Sequence, residues 1–438
     1  MCSIAGSKNQ EEVERMLKIM KHRSPDDEKV YGGRNFSIGM GRLSIIDLKS
    51  KGLCLFNEDG YYVSFNGEIY NYVELRKELK KKGWKFRTNS DIEVLLKSFR
   101  QWGHKCLDKF NGMFAFAIYN TNTQTVFLAR DIAGEKPLYF SYKPFKFASE
   151  AKALNWDCIE FPPAHFVYYH LGFKTWRIEK YWQPKKIKIK NPEKELEALL
   201  KDSIRLRTRS DVPYALYYSG GVDSSLISTF HNFKHRFTYK DGNYKKEFLK
   251  KFPKILYHLD YPITSFSPFG LWKLAEQASK KVKVVISGEG ADELFGGYVR
   301  YVLPHFNYLA QKKFPSYKTM FEPAKSVNQS GWKEFNGNLR ELLRMEDRIT
   351  AAFGMENRSP FLDKRIIEFA FSLPNEYKIN GLDTKIILNR ILKKRDPKYK
   401  PIEKAGLYTS VNKWIGSKEQ YTKKDYLRYQ KSLWKKLV

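Results

Sequence analysis

The chain has 438 residues, of which 42% are hydrophobic and 16% aromatic, which is enough for two domains with packed cores and excludes a disordered protein. No apolar run reaches 18 residues and the first twenty residues are charged, so the sequence predicts neither a membrane span nor a secretory signal peptide. The formal net charge is +31, but basic residues are spread along the whole chain. That distribution favours solvated basic faces over an RNA-binding surface.

Four cysteines lie in the first half of the chain, and they form neither C-x-x-C pairs nor zinc-binding spacings. This usage predicts a reducing, cytoplasmic compartment. They are Cys2, Cys54, Cys106 and Cys158. Removal of Met1 would give Cys2 a thiol and a free α-amine on one residue, which is a nucleophile with its own base. On position alone, the alternative is a chance cysteine in an unstructured terminus.

The first predicted elements are short β-strands over 36–40 and 61–65, followed by a helix over 73–82. The second strand runs into Asn66-Gly67-Glu68. An Asn-Gly pair usually marks a hairpin turn, but an amphipathic helix follows it here. A glycine N–H beside an asparagine amide could instead supply two hydrogen-bond donors to an oxyanion.

Two further residues of the first half each have two possible roles. Arg42 stands at the head of an apolar run, where it could bind a carboxylate bidentately or lie at the surface. Asp91 belongs to a stretch typical of a helix N-cap, and it could either cap the helix or hold an ammonium group. The spacing alone favours the cap.

Seven motifs of the first half occur in an order that resembles the class-II glutamine amidotransferase domain, an N-terminal-nucleophile hydrolase. They are M-C-S-I-A-G (1–6), H-R-S-P-D-D (22–27), G-R-L-S-I-I-D (41–47), F-N-G-E-I-Y-N (65–71), S-D-I-E (90–93), R-D-I-A-G-E-K-P-L-Y (130–139) and F-A-S-E-A-K-A-L (147–154). The resemblance implies that Cys2 attacks the glutamine amide with its α-amine as base, and that Asn66 and Gly67 form the oxyanion hole. It also implies a set of residues that hold the glutamine backbone groups: Arg42, Glu68 and Asp91, with main-chain help from Ile45 and Ile46. The family usually has glycine at Ser3 and Ser24, so both positions depart from its pattern.

The second half contains a β-prone run over 214–218, then Ser-Gly-Gly-Val-Asp-Ser-Ser (219–225), then an apolar helical stretch. A strand, a glycine-rich turn and a helix point backbone N–H groups at phosphate. The loop is neither a Walker A loop nor a Rossmann fingerprint. A second buried strand over 282–286 runs into an acidic, glycine-rich stretch over 287–298, which suits metal, ammonium or general-base roles.

The S-G-G-x-D-S loop resembles the pyrophosphate loop of enzymes that cleave ATP to AMP and pyrophosphate. Together with G-M-E-N-R-S-P-F-L-D (354–363) and E-K-A-G-L (403–407), it resembles the synthetase domain of glutamine-hydrolysing asparagine synthetases. The resemblance implies binding of ATP and its pyrophosphate by Tyr218, Ser219, Gly220, Gly221, Asp223, Ser224, Tyr239, Ser287 and Gly288. It further implies Mg²⁺ on Asp223, the substrate ammonium on Asp292, and catalytic roles for Glu289 and Lys404.

These resemblances predict an αββα N-terminal-nucleophile hydrolase over 2–183, followed over 190–438 by an α/β domain with a parallel sheet, a pyrophosphate loop and a helical C-terminal part. The expected enzyme is an ATP-dependent carbon–nitrogen ligase of amino-acid biosynthesis. It would make asparagine from aspartate through β-aspartyl-AMP, with ammonia crossing between the domains by an apolar passage. The segment over 231–256 is shorter than in the family, so another carboxylate, such as a sugar acid or a peptide, remains an alternative acceptor. Glutamine, aspartate and ATP are the expected partners, without a membrane or nucleic acid, and a homodimer is one expected state.

Overall fold

The computed structural model describes residues 1–240, 242–265, 267–298, 301, 327–400, 414 and 423–437. Its strands are β1 (Ser3–Ser7), β2 (Asp27–Tyr31), β3 (Ser37–Arg42), β4 (Phe56–Glu58), β5 (Tyr61–Ile69), β6 (Gly112–Asn120), β7 (Thr125–Arg130), β8 (Tyr139–Tyr142), β9 (Phe145–Ala148), β10 (Ile159–Glu160), β11 (His165–His170), β12 (Thr175–Lys180), β13 (Tyr214–Tyr217), β14 (His235–Phe237), β15 (Val284–Ile286), β16 (Glu356–Arg358), β17 (Ile379–Asn380) and β18 (Asp383–Thr384). Its α-helices are α1 (Gln10–Ile19), α2 (Tyr72–Lys81), α3 (Asp91–Trp102), α4 (Cys106–Lys109), α5 (Pro192–Arg207), α6 (Val222–Phe230), α7 (Lys245–Leu259), α8 (Pro268–Ala278), α9 (Ala291–Phe295), α10 (Val327–Asn336), α11 (Asn338–Ala351), α12 (Lys364–Ser372), α13 (Ile386–Arg395) and α14 (Lys423–Leu437).

The first half is a sandwich of two antiparallel sheets with helices on both outer faces. One sheet has the strand order β10-β8-β9-β1-β3-β2, and the other has the order β12-β11-β7-β6-β5-β4. Side chains of both sheets, among them Ile4, Met40, Phe65 and Phe116, form one buried core between them. Helix α1 packs on the first sheet and α3 on the second. This is the predicted αββα arrangement, which buries each sheet on two faces.

The second half is built on a parallel sheet of order β14-β13-β15-β16. Its central strands are short and apolar, and β15 is buried along its whole length because helices cover the sheet. All four carboxyl ends lie at one edge of the sheet, where open α/β folds bind their ligands. The fold class predicted from the sequence is therefore confirmed.

A buried set of ion pairs joins the two halves. Arg23 contacts Glu150 at 2.9 Å and, across the boundary, Asp347 at 2.9 Å. Arg348, on the same helix as Asp347, pairs with Asp260 at 3.0 Å and lies 3.4 Å from Glu150. These side chains are almost fully buried, so each charge depends on an oppositely charged partner, and two of the pairs, Arg23–Asp347 and Arg348–Glu150, cross from one half to the other.

Element boundaries agree with the sequence patterns to within a few residues, with one correction. The cap of α3 is Ser90, whose hydroxyl accepts from the Ile92 N–H, and Asp91 is the first helical residue. The predicted domain boundary lies between the end of β12 and the start of α5, and stays a prediction. Within the described ranges, no helix is both long and apolar enough to cross a membrane.

Candidate active sites

A small cavity of about 30 Å³ lies where β1, β3 and β5 meet the start of α3. The predicted nucleophile, one of the two predicted oxyanion-hole residues and all five predicted glutamine-binding residues line it, whereas Asn66 does not: the lining set is Cys2, Gly67, Arg42, Ile45, Ile46, Glu68 and Asp91. The pairing of Ser3 with Gly41 brings Cys2 beside Arg42. The sequence predicted this set from separate motifs, and the fold brings the set together.

Met1 directly precedes the predicted nucleophile, Cys2, and is enclosed by other side chains. Its side chain is fully buried, with its sulfur 2.9 Å from Lys136 Nζ and 3.8 Å from Arg23 Nη2. Burial lowers the pKa of the Met1 amine to about 5, although the charge of Glu356 opposes the shift. Arg23 also donates to the Cys2 carbonyl at 3.2 Å and so fixes the backbone of the nucleophile. Burial raises the pKa of the Cys2 thiol, so the thiol needs a base at hand to ionise.

Asn66 and Gly67 lie inside β5, which continues through the Asn-Gly pair to Ile69 without turning. Asn66 is fully buried, and among the described residues neither atom of its side-chain amide has a hydrogen-bond partner. Gly67 has a φ of +145°, and a Cβ there would lie 2.0 Å from the Met113 carbonyl oxygen. The backbone therefore requires glycine at this position. An amide without a partner beside a glycine is the arrangement that an oxyanion hole needs.

Arg42 and Asp91, which both line the cavity, are each oriented by hydrogen bonds with backbone groups. Arg42 Nη2 donates to the carbonyls of Ile46 at 2.8 Å and of Asp47 at 3.1 Å. Asp91 accepts from the Ile69 N–H at 3.0 Å. Burial raises the pKa of Asp91 to about 6, and the hydrogen bond from Ile69 partly offsets that rise. The Ile45 carbonyl accepts from the backbone N–H of Asp211 in the second half, so this wall of the cavity depends on both halves.

Glu68 faces the second half of the chain. One of its carboxylate oxygens lies 2.9 Å from Arg358 Nη2, and Arg358 also pairs with Glu356 at 2.9 Å. Burial raises the pKa of Glu68 well above its usual range, and Arg358 only partly offsets this. The sequence offered Glu68 as a glutamine ligand but gave no indication of its partner, which lies 290 positions later.

Ser3 and Ser24, the two departures from the family pattern, contact each other. Their hydroxyl groups are 2.8 Å apart and both side chains are buried. They sit over Gly41, where a Cβ would meet both hydroxyls at 2.5 Å or less. The two serines thus satisfy each other's hydrogen bonds beside the nucleophile, and Gly41 provides the room for them.

The second cluster lies at the carboxyl edge of the parallel sheet. The segment over 219–225 comprises the loop after β13 and the first turn of α6, with Gly220 at a φ of +75°. Ser224 Oγ accepts from the Ser219 N–H at 3.2 Å and holds the loop closed over the first turn of the helix. Tyr218 and Tyr239 follow the adjacent strands β13 and β14 at this same edge. The predicted strand, loop and helix are all present.

The loop after β15 approaches the first loop closely. A Cβ on Gly288 would lie 2.9 Å from the Cβ of Asp223, so glycine permits the contact. Ser287 N–H donates to the Arg358 carbonyl at 3.0 Å, and the Glu289 carbonyl accepts from Ser359 Oγ at 2.5 Å. Both bonds tie this loop to β16 and the residues that follow it. Lys404, the remaining predicted catalytic residue, lies outside the described residues.

Lys385 is a residue of this site that the sequence analysis missed. Its ammonium group lies 2.5 Å from Asp223 and 2.8 Å from Asp292, and the side chain is buried. Burial opposes the charged form, but the two carboxylates outweigh it and raise the pKa of Lys385 above its usual range. Nothing in the local sequence marks this lysine among 79 basic residues, because its partners lie about 160 and 90 positions earlier.

Strand β16 and helix α11 lie between the two clusters and contribute side chains to both. In β16, Glu356 and Arg358 face Glu68, whereas Asn357 faces the other way and donates to Ser287 Oγ at 2.9 Å. This is the two-residue alternation of a strand. In α11, Asp347 contacts Arg23 and the adjacent Glu346 contacts Ser287. The apolar passage between the sites stays a prediction, and the Met1 sulfur contacts the charged side chains of Arg23 and Lys136.

Both halves of the chain are similar to known proteins. Residues 1–165 match a family profile described as a glutamine amidotransferase domain, and residues 195–239 and 244–414 match one described as asparagine synthase. Asparagine synthetase [glutamine-hydrolyzing] 1 of Bacillus subtilis is 28% identical over 97% of this chain and 90% of its own length. A provisionally named asparagine synthetase [glutamine-hydrolyzing] 2 of Methanocaldococcus jannaschii is 31% identical over 71% of this chain and 79% of its own. Asparagine synthetase B of Escherichia coli is 28% identical over 84% and 72%.

Proposed function

The chain belongs to the family of glutamine-hydrolysing asparagine synthetases, and we propose that its two sites divide the synthesis of asparagine between them. The enzyme is an ATP-dependent carbon–nitrogen ligase that takes nitrogen from glutamine and transfers it to aspartate. One observation carries the proposed division. The residues predicted for glutamine hydrolysis, except Asn66, line one cavity, and the phosphate loop lies at the carboxyl edge of a separate sheet.

At the first site, Cys2 acts after Met1 has been removed. The α-amine of Cys2 takes the thiol proton, and the thiolate attacks the glutamine amide carbon. The negative charge on the carbonyl oxygen is stabilised by Asn66 Nδ2 and the Gly67 N–H. The C–N bond then breaks, ammonia leaves with the proton returned from the amine, and water hydrolyses the thioester to glutamate.

Glutamine is held at this site by its α-carboxylate and α-ammonium groups. Arg42 suits the carboxylate, because a guanidinium binds it bidentately. Asp91 suits the ammonium, since it is a buried carboxylate that lines the same cavity. Glu68 shares that task with its second oxygen while Arg358 holds the first. Ile45 and Ile46 contribute main-chain groups.

At the second site, the loop over 219–225 binds the pyrophosphate portion of ATP, and Ser287 and Gly288 contact AMP. Tyr218 and Tyr239 flank the adenosine. Asp292 holds the aspartate ammonium, and its contact with the Lys385 ammonium supports this role because a cation already lies against the carboxylate. The aspartate β-carboxylate attacks the α-phosphate and forms β-aspartyl-AMP. Glu289 accepts the proton from the incoming ammonia, and Lys404 balances the charge on the acyl-adenylate.

Mg²⁺ suits this site through Asp223. The ammonium of Lys385 contacts Asp223 at 2.5 Å, so a cation already fits against this carboxylate. Among the described residues, no group of three or more His, Cys, Asp or Glu could hold a metal. Mg²⁺ commonly binds through one or two carboxylates together with phosphate oxygens, which matches a single protein ligand beside the phosphate loop. When bound, the ion would neutralise charge on the phosphates.

The decisive experiment removes each site separately. Cys2→Ala should abolish asparagine formation from glutamine and leave formation from ammonium chloride intact. Glu289→Gln should stop AMP release from ATP and aspartate while glutamate release continues. Cys158→Ala, a half-buried cysteine away from the cavity, is the matched control for Cys2. Unchanged glutamine use in Cys2→Ala would refute the assignment of the nucleophile.

Four further expectations belong to the same proposal. Dependence on Mg²⁺ is tested by chelation and titration with the metal. The homodimer is tested by light scattering, and the cytoplasmic location by fractionation of cells. Product analysis with a panel of carboxylates tests the acceptor, and AMP release without aspartate would count against asparagine synthesis.

A further inference from the structure

A second carboxyl group, on Glu346 of α11, lies beside Glu289. Glu346 is buried, and its side chain is hydrogen-bonded to that of Glu289. Ser287 Oγ is 3.3 Å from Glu346 Oε2, and Asn357 Nδ2 also contacts this oxygen. Asn357 in turn donates to Ser287 Oγ at 2.9 Å. Glu346 is thus built into the second site, although the proposed mechanism does not use it.

The groups that face Glu346 oppose a second negative charge. Glu289 faces it from the loop after β15, and Glu135 acts on it from the first half of the chain. From β13 it is faced by the Tyr217 hydroxyl, which is buried and has no hydrogen-bond partner among the described residues. From β16 it is faced by the neutral amide of Asn357. Two carboxyl groups in contact, of which Glu346 is buried, cannot both ionise at low cost, and one retains a proton.

The proton belongs on Glu346. Burial, followed by the charge of Glu289, raises the pKa of Glu346 well above its usual range. Ser287 Oγ and the Asn357 amide both contact Oε2, which leaves Oε1 to carry the hydroxyl. A protonated carboxyl group is a hydrogen-bond donor, so Glu346 can donate to the Glu289 carboxylate.

We propose that Glu346 is a positioning residue for the synthetase reaction, which donates a hydrogen bond from its neutral carboxyl group to Glu289 and keeps Glu289 ionised and in place. The proposal rests on the role of Glu289 in the proposed function. When ammonia attacks β-aspartyl-AMP, its lone pair forms the C–N bond and the carbonyl π electrons move to oxygen. A proton moves from the nitrogen to Glu289. The C=O bond then re-forms, and AMP leaves with the electrons of the C–O bond. Glu346 keeps its proton throughout.

Two variants test whether Glu346 acts as a hydrogen-bond donor or only fills space. Glu346→Gln keeps the size and an N–H donor, and should retain the kcat for ammonia-dependent AMP release within about threefold. Glu346→Leu has no donor, and should lower this kcat by about 10- to 100-fold, because the base is no longer held ionised. In Glu346→Leu the acid limb of kcat should move to higher pH by about one unit, since a hydrogen bond to a charged group is lost. Glu341→Gln, on the same helix, is the matched control.

The readout is kcat against pH at a fixed concentration of free ammonia, with glutamate release from glutamine measured in parallel. An acid limb that does not move in Glu346→Leu would overturn the proposal, because a packing defect lowers kcat without shifting a pKa. If Glu346→Leu does not fold, Glu346→Gln decides alone, and a loss of more than tenfold refutes the neutral donor. Glu289→Gln distinguishes a failure of the role proposed for Glu289 from a failure of the role proposed for Glu346. If it stays active, the proposed role of Glu289 fails, whereas an inactive Glu289→Gln beside an unaffected Glu346→Leu refutes only the present inference.

Discussion

The buried amide of Asn66 allows a test in which activity and stability move in opposite directions. Both of its amide atoms lack a hydrogen-bond partner among the described residues, although the side chain is fully buried. A buried polar group without a partner costs about 1–3 kcal/mol. Asn66→Leu removes this group at similar size. We therefore expect the variant to unfold at a higher temperature than the parent protein.

The same substitution should damage glutamine hydrolysis. Loss of one oxyanion-hole donor typically lowers kcat by about 10²- to 10³-fold, which corresponds to about 2.7–4 kcal/mol of transition-state stabilisation. The Gly67 N–H remains as the second donor, so some activity should persist. The assay is glutamate release at saturating glutamine, with ammonia-dependent asparagine synthesis as the control for an intact second site.

Two results would refute the reasoning about Asn66. If Asn66→Leu unfolds at a clearly lower temperature, the amide has a structural partner and is not reserved for substrate. If glutamate release stays within a few fold of the parent, the amide does not stabilise the oxyanion. A change in KM with an unchanged kcat would place Asn66 in substrate binding, because such a change reports interactions made equally in the ground state and the transition state.

Further substitutions and pH changes test the rest of the site. Because burial raises the pKa of Asp91 to about 6, the carboxylate is ionised above that pH, and the KM for glutamine should rise as the pH falls through about 6 while kcat changes less. Gly67→Ala would bring a Cβ to 2.0 Å from a backbone oxygen, so glutaminase kcat should fall by about 10²-fold or more, with ammonia-dependent synthesis retained. Arg348→Met removes one cationic partner from each of two buried carboxylates, Asp260 and Glu150, and should lower the free energy of unfolding by up to about 3–5 kcal/mol in a denaturation experiment. An unchanged denaturation midpoint in that variant would show that these ion pairs do not hold the halves together.

Local sequence patterns were sufficient for the elements that carry the two sites. The phosphate loop was predictable because a strand, two glycines and a helix are contiguous, and the cavity around Cys2 because each of its motifs is short. The resemblance to a family was needed to join those motifs into one site. The contact between Ser3 and Ser24 was not predictable, since only the fold shows that two separate departures from a pattern meet at 2.8 Å.

Ion pairs between residues that are far apart in the chain could not be predicted from the sequence. Arg358 reaches Glu68, and Lys385 reaches Asp223, only after the chain has folded. Their local surroundings resemble those of many other basic residues in the chain. There is a local reason why Ser90, and not the predicted Asp91, caps the helix. Both can cap a helix, and the choice is made by the Ile69 N–H, which binds the Asp91 carboxylate.

The burial of Met1 limits the time during which Met1 can be removed while the protein is being synthesised. The side chains around Met1 include Arg23 and Lys136, and these in turn contact Asp347, which is translated more than three hundred residues after Met1. At about 5–20 residues per second, an aminopeptidase would have about 20–70 s before the enclosing helix emerges. A chain that folds with Met1 in place would be closed to the peptidase, and it would depend on free ammonia for the rest of its lifetime. Rapid overexpression should therefore enrich a subpopulation that makes asparagine from ammonia only, and intact-mass measurement would identify it by its retained methionine.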